Sequence, residues 1–145
     1  MITAQNLRAR LLERYPLSYL NAQILDATFE PVPLADLAAF GKELAERLWE
    51  DLPDGWQTWS DCDNFALEAQ GLACRKHFEA RHSKLGAAEG VAFGQISYTR
   101  DAGGAHRINV LLGDDGELHE YEPQMQREFV LSGPERATVN SPYFT

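Results

Sequence analysis

Apolar residues recur every three or four positions through most of the first 82 residues and tend to alternate after residue 90, so the chain reads as helices followed by strands. The first helix is predicted over residues 3–14, where Ala4, Leu7, Leu11 and Leu12 make one stripe and Pro16 stops it. Pro31 and Pro33 mark a loop. Residues 34–50 carry a second stripe, with Leu34, Leu37, Ala38, Leu44, Ala45 and Leu48 on one face. The stretch 52–59, with Pro53 and Gly55, is a loop that leads into a third helix over 61–82. Ser60 or Asp61 suits its N-cap. Phe65, Ala66, Ala69, Leu72 and Ala73 form its core stripe. Three residues before Phe65 lies Cys62, in the first turn and at the head of the buried face.

Strands are predicted over 91–99, 105–112 and 117–124, with a fourth over 127–131 and an irregular tail over 132–145. Helices first and strands afterwards imply an α+β domain rather than alternating βαβ units. The 145 residues suit one domain spanning 1–145, with an N-terminal helix inside 1–20.

The segment Gly113-Asp114-Asp115-Gly116-Glu117 sets a register. A three-residue hairpin loop wants a left-handed residue third, and Asp114-Asp115-Gly116 supplies glycine there. That loop pairs Gly113 with Glu117, and further out Ile108 with Glu122 and His106 with Gln124. Glu122 then becomes the diagonal neighbour of His106 on one face. A two-residue Asp-Gly loop would shift the register by one and put them on opposite faces. A carboxylate beside an imidazole fixes its tautomer and stabilises imidazolium. His119 with Glu120 is a competing pair on the same hairpin, nearer the turn.

Composition narrows the function. The 44% hydrophobic and 24% charged content is that of an ordinary globular protein. A formal net charge of −9 disfavours nucleic acid and favours cations, calcium among them. Cys62 and Cys74 are the two cysteines, 12 residues apart on one helix. That is about 18 Å along the axis, too far for a disulfide. Free thiols, and an N-terminus without an apolar core of signal-peptide length, suggest the cytoplasm or release without a signal peptide. No apolar run approaches a membrane span, so no membrane partner is expected. A dimer is left open.

A thiol reacts as its thiolate, and the first turn of a helix favours negative charge through free N–H groups and the macrodipole. A small buried hydrophobe at a helix start would look the same. Asp61 and Asp63 flank Cys62 and oppose its ionisation, so something must offset them. Helix capping is the simplest role for these aspartates. Cys74, His77 and His82 read as packing or solvated residues.

The blocks DCDNFA, AHRIN and EYEPQ, in that order, resemble the C-terminal domain of the Marasmius oreades agglutinin type of fungal lectin and its bacterial relatives. The resemblance implies a papain-like cysteine-protease fold, with N-terminal helices packed on a small antiparallel sheet, and a calcium-dependent cysteine protease acting on a peptide or protein substrate. It implies Cys62 as nucleophile, His106 as base and then acid, and Glu122 as the group that orients the imidazole. Calcium is implied near the site, and Asp61, Asp63 and Asn64 are the nearest oxygen donors. The oxyanion donor of papain-like enzymes is a Gln shortly before the cysteine, for which Gln57 and Gln23 are the candidates. Trp56 and Trp59 serve either as a substrate wall or as core anchors. The β-trefoil of the fungal proteins, with its Gln-x-Trp repeats, has no counterpart. The expected chemistry is amide hydrolysis. A transglutaminase-like acyltransferase and an inactive binding or assembly module of a phage or toxin system are the alternatives.

Overall fold

The computed structural model describes residues 1–54, 57, 61–81 and 84–145. Strand β1 (Ile2–Thr3) leads into α1 (Ala4–Arg14), β2 (Gln23–Ile24) and β3 (Thr28–Glu30). A 3₁₀ turn (Leu34–Asp36) opens onto α2 (Leu37–Asp51), which is followed by α3 (Cys62–Arg81). Next come β4 (Gly90–Val91), β5 (Phe93–Thr99), β6 (Ala105–Leu112), β7 (Leu118–Glu122) and β8 (Arg127–Phe129). A short α4 (Gly133–Ala137) and β9 (Asn140–Phe144) complete the described elements. The fold is α+β.

The main sheet has six strands in the order β2-β9-β5-β6-β7-β8, and β1-β3-β4 make a smaller sheet. Helix α1 covers one face of the main sheet, with Leu7, Leu11 and Tyr15 packing with Ile96, Ile108 and Val110. Helices α2 and α3 cover the other, where Leu44, Phe65 and Leu72 meet Phe93, Leu111 and Tyr121. Apolar alternation therefore breaks down in β6, whose residues 108–112 are all buried. A strand covered on both faces reads as a continuous apolar run.

The helices fall close to where the pattern places them. Thr3 caps α1 by accepting from the Asn6 N–H. Leu12 departs from the predicted stripe and lies 45% exposed.

The tail is the main correction. Residues 132–145 are not irregular. Ser132 and Glu135 form a capping box that starts α4, and β9 inserts between β2 and β5, one strand in from the edge of the sheet. The pattern hides β9 because Pro142 lies within it, Ser141 has φ 52°, and the register with β5 shifts between Gln95 and Ser97. Proline in a central strand ordinarily argues against one, and the irregularity accommodates it here. Gly94 makes the approach of β9 to β5 close: a Cβ there would stand 2.6 Å from the Tyr143 carbonyl oxygen.

Candidate active site

Helix α3 begins with a reciprocal cap. Asp61 Oδ1 accepts from the Asp63 N–H at 3.2 Å, and Asn64 Oδ1 accepts from the Asp61 N–H at 3.1 Å. The Phe65 N–H closes the first turn onto the Asp61 carbonyl. Cys62 is thus the first helical residue, half-buried. Its thiol donates to Asp63 Oδ1 at 3.9 Å, and the backbone N–H of Arg107 on β6 is near enough to favour a negative sulfur. Burial pushes the thiol pKa above its ordinary value, and repulsion from Asp63 and Asp61 adds to that. The N–H groups of Arg107 and Asp63 pull the other way without reversing the direction.

The hairpin has the register that a three-residue loop requires. The Gly113 N–H donates to Glu117 O at 2.8 Å, the Gly116 N–H donates to Gly113 O, and Gly116 has φ 83°. Pairs run outward through Leu112 with Leu118 to Asn109 with Tyr121. Hydrogen-bonding direction alternates along a strand, so the bond at Gly113 means that the odd-numbered N–H groups of β6 face β7. At Arg107 the facing position is Pro123, past the end of β7. Its N–H acts on the Cys62 sulfur, lowering the thiol pKa against the larger effect of burial.

One residue back, His106 Nε2 stands 2.8 Å from Glu122 Oε2, with the side chains 12% and 18% exposed. The other Glu122 oxygen accepts from the Gln124 N–H at 3.2 Å. Tyr98 packs edge-on against the imidazole, with centroids 5.7 Å apart. An ionised Glu122 selects the tautomer with hydrogen on Nε2. That leaves the Nδ1 lone pair free, and Nδ1 has no hydrogen-bond partner among the described residues. The arrangement can accept a proton at Nδ1 and stabilise the imidazolium that results.

The competing pair does not form. Glu120 is buried on the α1 side of the sheet, bound by Arg14 and Tyr15. His119 instead lies between Asp115, at 3.0 Å, and Glu128, at 2.7 Å. His77 is not simply solvated, since its Nε2 is 3.0 Å from the Ala88 carbonyl. Cys74 is half-buried near the Thr145 carbonyl.

Gln57 is exposed, and its amide donates to Asp54 O at 3.3 Å. Gln23 is exposed on edge strand β2. Neither hydrogen-bonds to Cys62 among the described residues. Trp56, Trp59, Ser60 and His82 lie outside the described residues.

The calcium expectation meets a poor donor set. Calcium takes six to eight oxygens. Asp61 and Asn64 turn an oxygen inward to cap the helix, and among the described residues no group of three or more His, Cys, Asp or Glu side chains is placed to hold a metal. Asp61, Asp63 and Asn64 do not fit a calcium site.

A buried polar network under α3 escaped the sequence reading. Arg107 donates to Gln95 Oε1 and Ser97 Oγ, both at 2.7 Å. Gln95 donates to Gln70, and Gln70 donates to the Tyr143 carbonyl. Asn109, fully buried, donates to Ala66 O and Gly94 O. A signal was present: Arg107 and Asn109 are polar and two apart in a largely apolar strand, so they share one face.

No protein-family model and no curated protein matches the chain. Among the solved structures that share its fold are the following two. One is a PSL1a–E64 complex, with a TM-score of 0.70 and 17% identity over 95% of this chain and 49% of that one. The other is Polyporus squamosus lectin bound to the human-type influenza-binding epitope Neu5Aca2-6Galb1-4GlcNAc, with a TM-score of 0.66 and 18% identity over 88% of this chain and 44% of that one. The chain therefore spans about half the length of these proteins. Lectin neighbours, one of them bound to a glycan, correct the expectation of a cysteine protease with a peptide or protein substrate. At this identity the likeness shows the fold alone: an α+β fold shared with a fungal lectin.

Proposed function

We propose that Cys62, His106 and Glu122 form a thiol-dependent hydrolase centre that takes an acyl group onto sulfur and passes it to water. On this reading the fold is a papain-like arrangement of the Marasmius oreades agglutinin type. The observation that carries it is the His106 Nε2–Glu122 Oε2 contact of 2.8 Å, made one residue from Arg107, whose N–H favours negative charge on the Cys62 sulfur.

The raised thiol pKa shapes the mechanism. The proton rests on sulfur, so His106 acts as general base during attack rather than by holding a preformed thiolate. Nδ1 takes the thiol proton as sulfur adds to the acyl carbonyl. The oxyanion is met by an N–H of the first α3 turn. Collapse expels the leaving group, which takes the proton from Nδ1. Water, deprotonated by the same nitrogen, then cleaves the thioester and restores the thiol. Glu122 keeps Nε2–H in place throughout and stabilises the imidazolium.

A second reading is glycan binding without chemistry, favoured by the epitope-bound neighbour. Iodoacetamide labelling separates the two. Under the hydrolase reading Cys62 labels faster than Cys74, and His106→Ala and Glu122→Gln slow Cys62 only. Equal, slow labelling of both thiols, unaffected by either substitution, refutes the thiol centre. Calorimetric binding of the sialylated epitope would support the second reading.

A further inference from the structure

The Cys62 thiol has two carboxylates beside it and needs an opposing charge. Arg107 is placed to supply it. Asn109 donates to the Ala66 carbonyl, one helical turn beyond Cys62. Arg107 lies one strand repeat before Asn109 on the same face. One step back is about 6 Å on the helix and about 6.6 Å on the strand, so the Arg107 side chain starts beneath the first turn of α3. The guanidinium is half-buried and interacts with both Asp63 and Cys62.

Its hydrogen bonds commit its orientation. Gln95 and Ser97 take two donors, and the amides of Gln95 and Gln70 all point one way, ending on the Tyr143 carbonyl. Each acceptor is polarised by the donor behind it. None of these hydrogen-bond partners is ionised; the charges that act on the guanidinium are Asp63 and then Cys62. A guanidinium stays charged even when desolvated.

We infer that Arg107 is a positioning residue whose guanidinium, locked by Gln95 and Ser97, is the built-in counter-charge for negative charge developing on the Cys62 sulfur. This rests on reading Cys62 as a nucleophile. The charged groups that act on the sulfur are Asp63 and Asp61 from α3 and Arg107 from β6. The counter-charge is a side chain of the fold, in the role that calcium would otherwise have to fill.

The test uses the full chain with Cys74→Ser as background. Thiolate absorbance and iodoacetamide rate are followed against pH for Arg107→Gln, Arg107→Lys and Asp63→Asn. Arg107→Gln is expected to move the Cys62 midpoint up by about one unit, which lowers the labelling rate below the midpoint about tenfold. Arg107→Lys retains most of the effect, and Asp63→Asn moves the midpoint down. An unchanged midpoint in folded Arg107→Gln overturns the inference. So do equal losses in the Gln and Lys variants, which would mark a purely structural role. If Arg107→Gln does not fold, Ser97→Asp carries the test by neutralising the guanidinium in place. An upward shift then supports the inference, and no shift overturns it. Failure of the hydrolase reading looks different: Cys62 of the unsubstituted chain would label no faster than Cys74, and His106→Ala would change nothing.

Discussion

Removing the Arg14 guanidinium tests how α1 is tied to the sheet that carries the site. The Glu120 side chain is 1% exposed and takes two N–H bonds from Arg14, at 3.0 and 2.9 Å, and one O–H bond from Tyr15 at 2.7 Å. Arg14→Ala leaves that carboxylate with the phenol as its remaining donor. Removing one partner of a buried pair costs about 3–5 kcal/mol. The Arg14 side chain is itself 27% exposed, so water reaches the vacated side. The low end, about 3 kcal/mol, is therefore expected. For a chain of this length that is a fall in Tm of about 6–12 °C. Urea unfolding followed by circular dichroism measures it, with the slope checked for constancy. Replacing both residues by Met removes both charges and is expected to be less damaging than Arg14→Met alone, because no carboxylate is then stranded. A loss below about 1 kcal/mol for Arg14→Ala would place the pair among ordinary surface bridges and refute the reasoning. A double variant no better than the single one would do the same.

Two further outcomes follow from contacts in the sheet. Gly94→Ala would bring a Cβ to 2.6 Å from the Tyr143 carbonyl and 2.7 Å from the Phe144 ring. The expected loss is about 1–3 kcal/mol in urea unfolding, and an unchanged midpoint would show that β9 yields freely. The Glu117 N–H, and after it His119, holds the Asp115 carboxyl below its ordinary pKa. A depressed folded pKa means that the contribution is present above the ordinary carboxylate range and is lost as pH falls through the lowered value. Hydrogen exchange at the Glu117 amide, corrected for intrinsic rate, should lose protection in acid. In Asp115→Asn that acid dependence should vanish, and its persistence would reject the assignment.

Local chemistry made part of this protein legible from its sequence. Three helices, their core stripes and most of the antiparallel strands follow from periodicity, because each element buries one face at its own repeat. The Asp114-Asp115-Gly116 loop carried the most information. A glycine at φ 83° selects a three-residue loop, and a register propagates along a strand without decay. That is why His106 and Glu122, sixteen residues apart, can be placed on one face from the turn alone.

Other features needed the folded chain. Nothing local tells Glu120 from Glu122, two residues apart on one strand. Arg14, 106 positions away in sequence, takes Glu120 and leaves Glu122 for His106. Strand β9 is hidden by its proline and bulge, and finds its place between β2 and β5 through Gly94. Arg107 carries an ordinary exposed type of side chain, and only α3 lying across β6 turns it into a buried charge near sulfur. A periodic pattern says which face of an element is covered. Which polar groups meet once the faces close depends on long-range packing, and that packing decides the surroundings of Cys62.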